Sequence, residues 1–90
     1  MSKSIDKNVI AKHISDLISL TSNATCEYKK MPSEEEGAEP FTRENGNVLY
    51  AGREYMVITC SNGYKYYVNV TADSPLAAAA ETLELASYKL

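Results

Sequence analysis

Residues 56–90 read MVITCSNGYKYYVNVTADSPLAAAAETLELASYKL, and the pairing across the turn at Ser61-Asn62-Gly63 decides the fold. Two alternating runs flank that turn, which is the pattern of a β-hairpin. A two-residue Asn62-Gly63 turn would set Cys60 against Lys65 and Ile58 against Tyr67, splitting the apolar side chains between both faces. A three-residue loop, with Gly63 as the left-handed bulge residue, shifts the pairing by one. Met56, Ile58 and Cys60 then share a face with Tyr64, Tyr66, Val68 and Val70, while Tyr55, Val57, Thr59, Lys65, Tyr67, Asn69 and Thr71 take the other. A one-residue slip exchanges the faces completely, so the apolar pattern selects the three-residue loop.

The hairpin, residues 53–71, runs directly into a helix over residues 75–89. Ser74 caps that helix, and Pro75 occupies the first turn, where its missing N–H costs nothing. Leu76, Ala79, Ala80, Leu83, Ala86 and Leu90 form its expected buried stripe, with Glu81 and Glu84 toward water. Upstream, Ile5, Val9, Ile10, Ile14, Leu17, Ile18 and Thr21 recur at helical spacing, predicting a helix over residues 5–21. Ser4 is its expected cap, with Asp6 in the first turn and Ser22 and Asn23 as the stop. A strand over residues 24–31 follows, with Cys26 and Tyr28 on one side and Glu27 and Lys29 on the other.

Residues 32–47, PSEEEGAEPFTRENGN, hold two prolines, two glycines and five glutamates and predict a loop. A short hairpin across Asn45-Gly46, joining residues 41–44 to residues 48–50, is the alternative for its second half. The expected fold is a single small α+β domain ordered helix, strand, acidic loop, strand, strand, helix. Both helices cover one face of a three-stranded antiparallel sheet and leave the opposite face open.

Ninety residues suit one domain that buries roughly 60–65% of its unfolded surface, so the core is small. A hydrophobic content of 44% argues against wholesale disorder. A net charge of −3 argues against nucleic acid and anionic membrane as partners, since both need clustered cations. Cys26 and Cys60 are too few for a secreted disulfide scaffold. The N-terminal residues lack the unbroken apolar run of a leader or membrane span. The expected location is therefore cytoplasmic. Buried free thiols are expected there, although adjacent strands leave a Cys26–Cys60 contact open. The sequons at Asn23 and Asn69 then carry no meaning.

Chemistry-bearing groups are sparse. His13 is the single histidine, and it reads as a boundary residue beside the stripe of the first helix. Neither Cys60 nor Asp16 sits in a nucleophile motif. The cysteines and the histidine lack zinc-site spacing, and the glycines form no phosphate cradle. No enzyme, metal or cofactor is expected.

Surfaces remain. Glu34, Glu35, Glu36, Glu39 and Glu44 either solvate a loop or form a carboxylate array for a basic groove, with Phe41 and Tyr50 as apolar anchors. On the open sheet face, Tyr55, Val57, Tyr67 and Asn69 either pair across strands or meet a protein partner or a second copy.

The order helix, three strands, helix resembles the double-stranded RNA-binding domain. That family grips phosphates through a basic cluster opening its last helix. Ser74-Pro75-Leu76-Ala77-Ala78, preceded by Asp73, stands there instead, which tells against nucleic acid as the ligand. The stretch NGYKYYVNVTADSPLAAAAETLELA, residues 62–86, resembles small phage and mobile-element proteins of the anti-CRISPR-like inhibitor type. That resemblance implies a non-enzymatic protein that occupies the surface of a nuclease, in the host-cell cytoplasm if phage-encoded; a nucleic-acid-binding module on the same topology is the alternative.

Overall fold

The computed structural model describes residues 6–90. Its first helix, α1 (Lys7–Ser22), begins at Asp6, which lies in extended backbone and accepts the Val9 N–H at 2.9 Å. Asp6 is thus the cap rather than a first-turn residue, because its short carboxylate satisfies an N–H that the helix itself leaves unpaired. Ser4 and Ile5 lie outside the described residues. The helix ends at Asn23 with φ 54°, a left-handed position that asparagine tolerates better than most residues.

Strand β1 (Thr25–Lys30) pairs antiparallel with β4 (Glu54–Thr59), and β4 pairs antiparallel with β5 (Lys65–Asn69). The sheet order is β1-β4-β5. Across the central hairpin Ile58 stands opposite Tyr66, Met56 opposite Val68 and Thr59 opposite Lys65. The Cys60 N–H donates to the Tyr64 carbonyl at 2.8 Å, and Gly63 takes φ 90°. These pairs are those of the three-residue loop. Helix α2 (Pro75–Lys89) follows, with the Ser74 hydroxyl accepting the Ala77 N–H.

Both helices cover the same sheet face. Ala11, Ile14 and Ile18 of α1 and Ala78 and Ala86 of α2 pack with Cys26, Met56, Ile58, Val68 and Val70. The contact stripe of α2 differs from the expected one. Leu76 is 77% exposed, and Ala80 and Leu90 also face out, while Ala78, Thr82 and Ala86 are buried. Small side chains let the helix seat close to the sheet. Thr82 joins them because its hydroxyl donates to the Ala78 carbonyl at 2.7 Å, removing the cost of burying it. On α1, Val9 and Leu17 are likewise more exposed than their spacing suggests, and Ala11 takes the place nearest the core.

The opposite sheet face is not open. The loop expected over residues 32–47 carries a 3₁₀ turn (Glu34–Glu36) in its first half, and its second half forms the alternative, a hairpin across Asn45-Gly46 with strands β2 (Phe41–Glu44) and β3 (Asn47–Tyr50). Asn45 and Gly46 form its two-residue turn, both at positive φ (50° and 79°), the geometry that matches strand twist. Leu49, 1% exposed, projects from β3 onto Tyr55 and Val57, with Met31 and Tyr67 at the edge of this second cluster. The Tyr50 N–H donates to the Tyr55 hydroxyl at 2.9 Å, so the one polar atom on that buried ring is satisfied. The molecule therefore has three layers: two helices, a three-stranded sheet and a hairpin lid.

Leu49→Ala should lower the unfolding free energy by about 2–5 kcal/mol, the range for a fully buried leucine truncated to alanine. Chemical denaturation checks it. A loss below about 0.5 kcal/mol, the scale of an ordinary surface substitution, would mean that the hairpin does not seal this face.

Candidate functional site

Alternation along the lid hairpin sorts its residues. Leu49 and Glu44 turn inward, whereas the opposed pairs Phe41–Tyr50 and Arg43–Val48 turn outward. Phe41 is 45% and Tyr50 53% exposed, their ring centroids are 6.5 Å apart, and the Arg43 guanidinium lies 5.9 Å from the Phe41 ring. Two large apolar rings beside one cation thus stand on the outer surface of the lid.

The acidic run lies immediately upstream. Glu34, Glu35 and Glu36 form the 3₁₀ turn and are exposed, as is Glu39. Glu36 differs from its neighbours because its carboxylate accepts from the Ser33 N–H at 2.9 Å and from the Ser33 hydroxyl at 3.2 Å. Those bonds, the backbone one first, hold its pKa below the ordinary value. Glu36 shapes the turn, and Glu34, Glu35 and Glu39 remain at the surface.

Other residues expected on a contact surface also have internal work. Tyr55 is 4% exposed beneath the lid, and its ring meets that of Tyr67 edge-on at 6.5 Å. Tyr67 is half-buried; its hydroxyl donates to Glu44 Oε1 at 2.6 Å and accepts from Asn45 Nδ2 at 3.3 Å. Burial first and the Glu44 bond second push the Tyr67 pKa up. Glu44 also accepts from Lys29 Nζ at 2.8 Å, and Lys29 first and Tyr67 second hold its pKa down. Glu44 therefore ties the lid to β1 and β5. Asn69 is exposed, but its Oδ1 accepts from the Thr71 N–H and hydroxyl, closing the end of β5. The open tyrosine face is corrected accordingly: Tyr55 and Val57 are core, and Tyr67 is a strut.

A cleft of about 640 Å³ runs beside the lid and brings Glu34, Tyr50 and Asn69 together with Arg53 and Asp73. Arg53 and Asp73 carried no motif. The register that sets Glu54 beside Val70 does place both at one end of the sheet, which is the signal that would have located them. Asp73 Oδ2 is buried without a hydrogen-bond partner, and the proximity of Asp73 is the chief cause that pushes the Glu81 pKa up. His13 is exposed on α1. Cys26 and Cys60 are free thiols, and burial pushes the Cys26 pKa up to about 12, the opposite of an activated nucleophile. Among the described residues no group of three His, Cys, Asp or Glu side chains could hold a metal ion, and no helix is long and apolar enough to cross a membrane.

The lid should be acid-sensitive. A carboxylate with a depressed folded-state pKa stabilises the fold above the unfolded glutamate pKa of 4.5, and that contribution is lost as pH falls through the lower folded value. Glu44→Gln should therefore flatten part of the acid limb of the stability–pH profile, leaving the share due to Glu36 and Glu54, whose pKa values are also lowered. An unchanged acid limb would remove Glu44 as the lid anchor.

Comparison with protein-family models, with curated proteins and with solved structures gave no match for this chain.

Proposed function

We propose that this chain is a non-enzymatic binding protein that docks a basic protein surface through the outer side of its lid. Glu34, Glu35 and Glu39 supply the charge, and Phe41 and Tyr50 supply the anchors. The single observation that carries the reading is the outward Phe41–Tyr50 pair, held next to an acidic turn on a hairpin whose inner side is pinned to the core. Exposed carboxylates alone speed association and orient a partner but give little affinity. Aromatic side chains on a rigid scaffold supply the desolvated contact area that binding needs.

The partner class is a protein that handles nucleic acid, because a groove built for phosphates accepts a carboxylate array of similar spacing and sign. An inhibitor of a host-defence nuclease, of the anti-CRISPR-like type, fits that chemistry. Two observations support binding over catalysis: burial pushes the Cys26 pKa up to about 12, and His13 lies exposed on α1.

Capture from a host lysate, repeated with variants and with competing duplex DNA, tests the reading. The wild type should retain nucleic-acid-binding proteins that added DNA releases. Tyr50→Ala and the triple variant Glu34→Lys, Glu35→Lys, Glu39→Lys should each weaken capture by about tenfold or more at nearly unchanged Tm. Capture that both variants leave intact contradicts the proposal. Direct, steeply salt-dependent binding of duplex RNA or DNA by the chain itself contradicts it too, and favours a nucleic-acid module.

A further inference from the structure

Strand β5 is one edge of the main sheet. The bonds Cys60 N–H to Tyr64 and Val70 N–H to Glu54 show that residues 64, 66, 68 and 70 direct their main-chain groups at β4. The N–H and C=O groups of Lys65, Tyr67 and Asn69 consequently point away from the sheet, as they must in an antiparallel ladder. The opposite edge is treated differently, because the outward N–H of Cys26 on β1 is taken by the Ser15 hydroxyl at 3.0 Å. An unprotected edge of this kind is a template for another strand.

Beside the β5 edge lies a groove of about 310 Å³ shared with α2. Val68 and Leu85 form its apolar middle, and Tyr88, 78% exposed, stands over it. The two ends carry opposite charge: Glu81 and Glu84 at one, Lys89 at the other, with Lys89 Nζ 6.0 Å from the Tyr66 ring. Helix α2 runs back along β5, so Lys89 lies level with the start of the strand and Glu81 level with its end.

A surface with an apolar centre and oppositely charged ends is complementary to itself under a two-fold rotation. From this we infer that a second copy of the chain docks at the β5 edge, its own β5 pairing antiparallel about Tyr67. Lys65 of each copy then faces Asn69 of the other, and the two sheets join into one of six strands. The distances close as well. Helix α2 contacts both β4 and β5, so it lies over the gap between them. Strands about 4.8 Å apart then set the two α2 axes about 10 Å apart, close to the 8–10 Å of packed helices. Tyr88 and Leu85 of both copies meet near the axis, and Lys89 of each copy comes opposite the Glu81–Glu84 turn of its partner. This surface shares only Asn69 with the cleft beside the lid.

Sedimentation over a dilution series of the full chain tests the inference. The wild type should reach twice the chain mass of 9.9 kDa as its concentration rises. Lys89→Glu sets like charges against each other and should raise the dimer dissociation constant about tenfold or more. Adding Glu84→Lys to that variant reverses the polarity and should restore the dimer, which a purely structural role within one helix would not do. Lys65→Pro removes an outward edge N–H and should also favour the monomer. A wild type that stays monomeric throughout overturns the proposal, including one that instead binds an added extended basic peptide. So does a dimer that survives both Lys89→Glu and Lys65→Pro.

Discussion

The structure depends on a central strand that is dry on both sides. Tyr55, Met56, Val57 and Ile58 are four consecutive buried residues in β4. Successive side chains in a strand point to opposite faces, so a run of this kind cannot be satisfied by one covering layer. The helices bury Met56 and Ile58, and the hairpin carrying Leu49 buries Tyr55 and Val57. Removing either cover returns two large apolar side chains to water, each of which contributes about 1.5–3 kcal/mol when buried. In a domain of this size that is a large share of the net stability.

This constraint also organises the surface. Because the lid has to sit on Tyr55, its inner side is occupied by Leu49 and Glu44, and alternation sends Phe41 and Tyr50 outward. The element that completes the core is thus the element that presents the aromatic pair. Polar bonds at its rim fix the arrangement: Glu44 to Lys29 and Tyr67 on one side, and Tyr50 to Tyr55 on the other. A second polar clamp acts at the far side of the sheet. There Lys7 Nζ donates to Glu54 at 3.1 Å and to the Val70 carbonyl at 2.7 Å, and Tyr28 donates to Glu54 at 2.8 Å. The placement of the exposed aromatic pair and the stability of the fold are coupled through the lid, and a loosened hairpin would displace both Phe41 and Tyr50.

Much of the architecture was legible in the sequence because it rests on strong periodic signals. The register of the terminal hairpin followed from its apolar alternation, and the Ser74-Pro75 start of α2 from capping chemistry. The lid was harder to read. Five glutamates, two prolines and two glycines dominate residues 32–47, and the apolar contribution of the hairpin to the core is one leucine. The signal lay elsewhere, in the unbroken run YMVI of residues 55–58. A strand with one wet face would have alternated there. Taking that face as open turned Tyr55 and Tyr67 into contact residues, when one is core and the other a strut. The face of α2 was misjudged for a related reason. Leucine outranks alanine and threonine on any hydropathy scale, but close seating on a sheet favours the small side chains of Ala78, Thr82 and Ala86.

Amide hydrogen exchange at Tyr50 tests the central claim most directly, because its N–H points out of the β2–β3 ladder and is bonded to the buried Tyr55 hydroxyl. With both faces of β4 sealed, that amide is protected, and Tyr55→Phe accelerates its exchange while the amides of β4 stay slow. A Tyr50 amide that exchanges as fast as an exposed loop in the wild type, indifferent to Tyr55→Phe, would mean the lid is not seated and the sheet has one wet face after all.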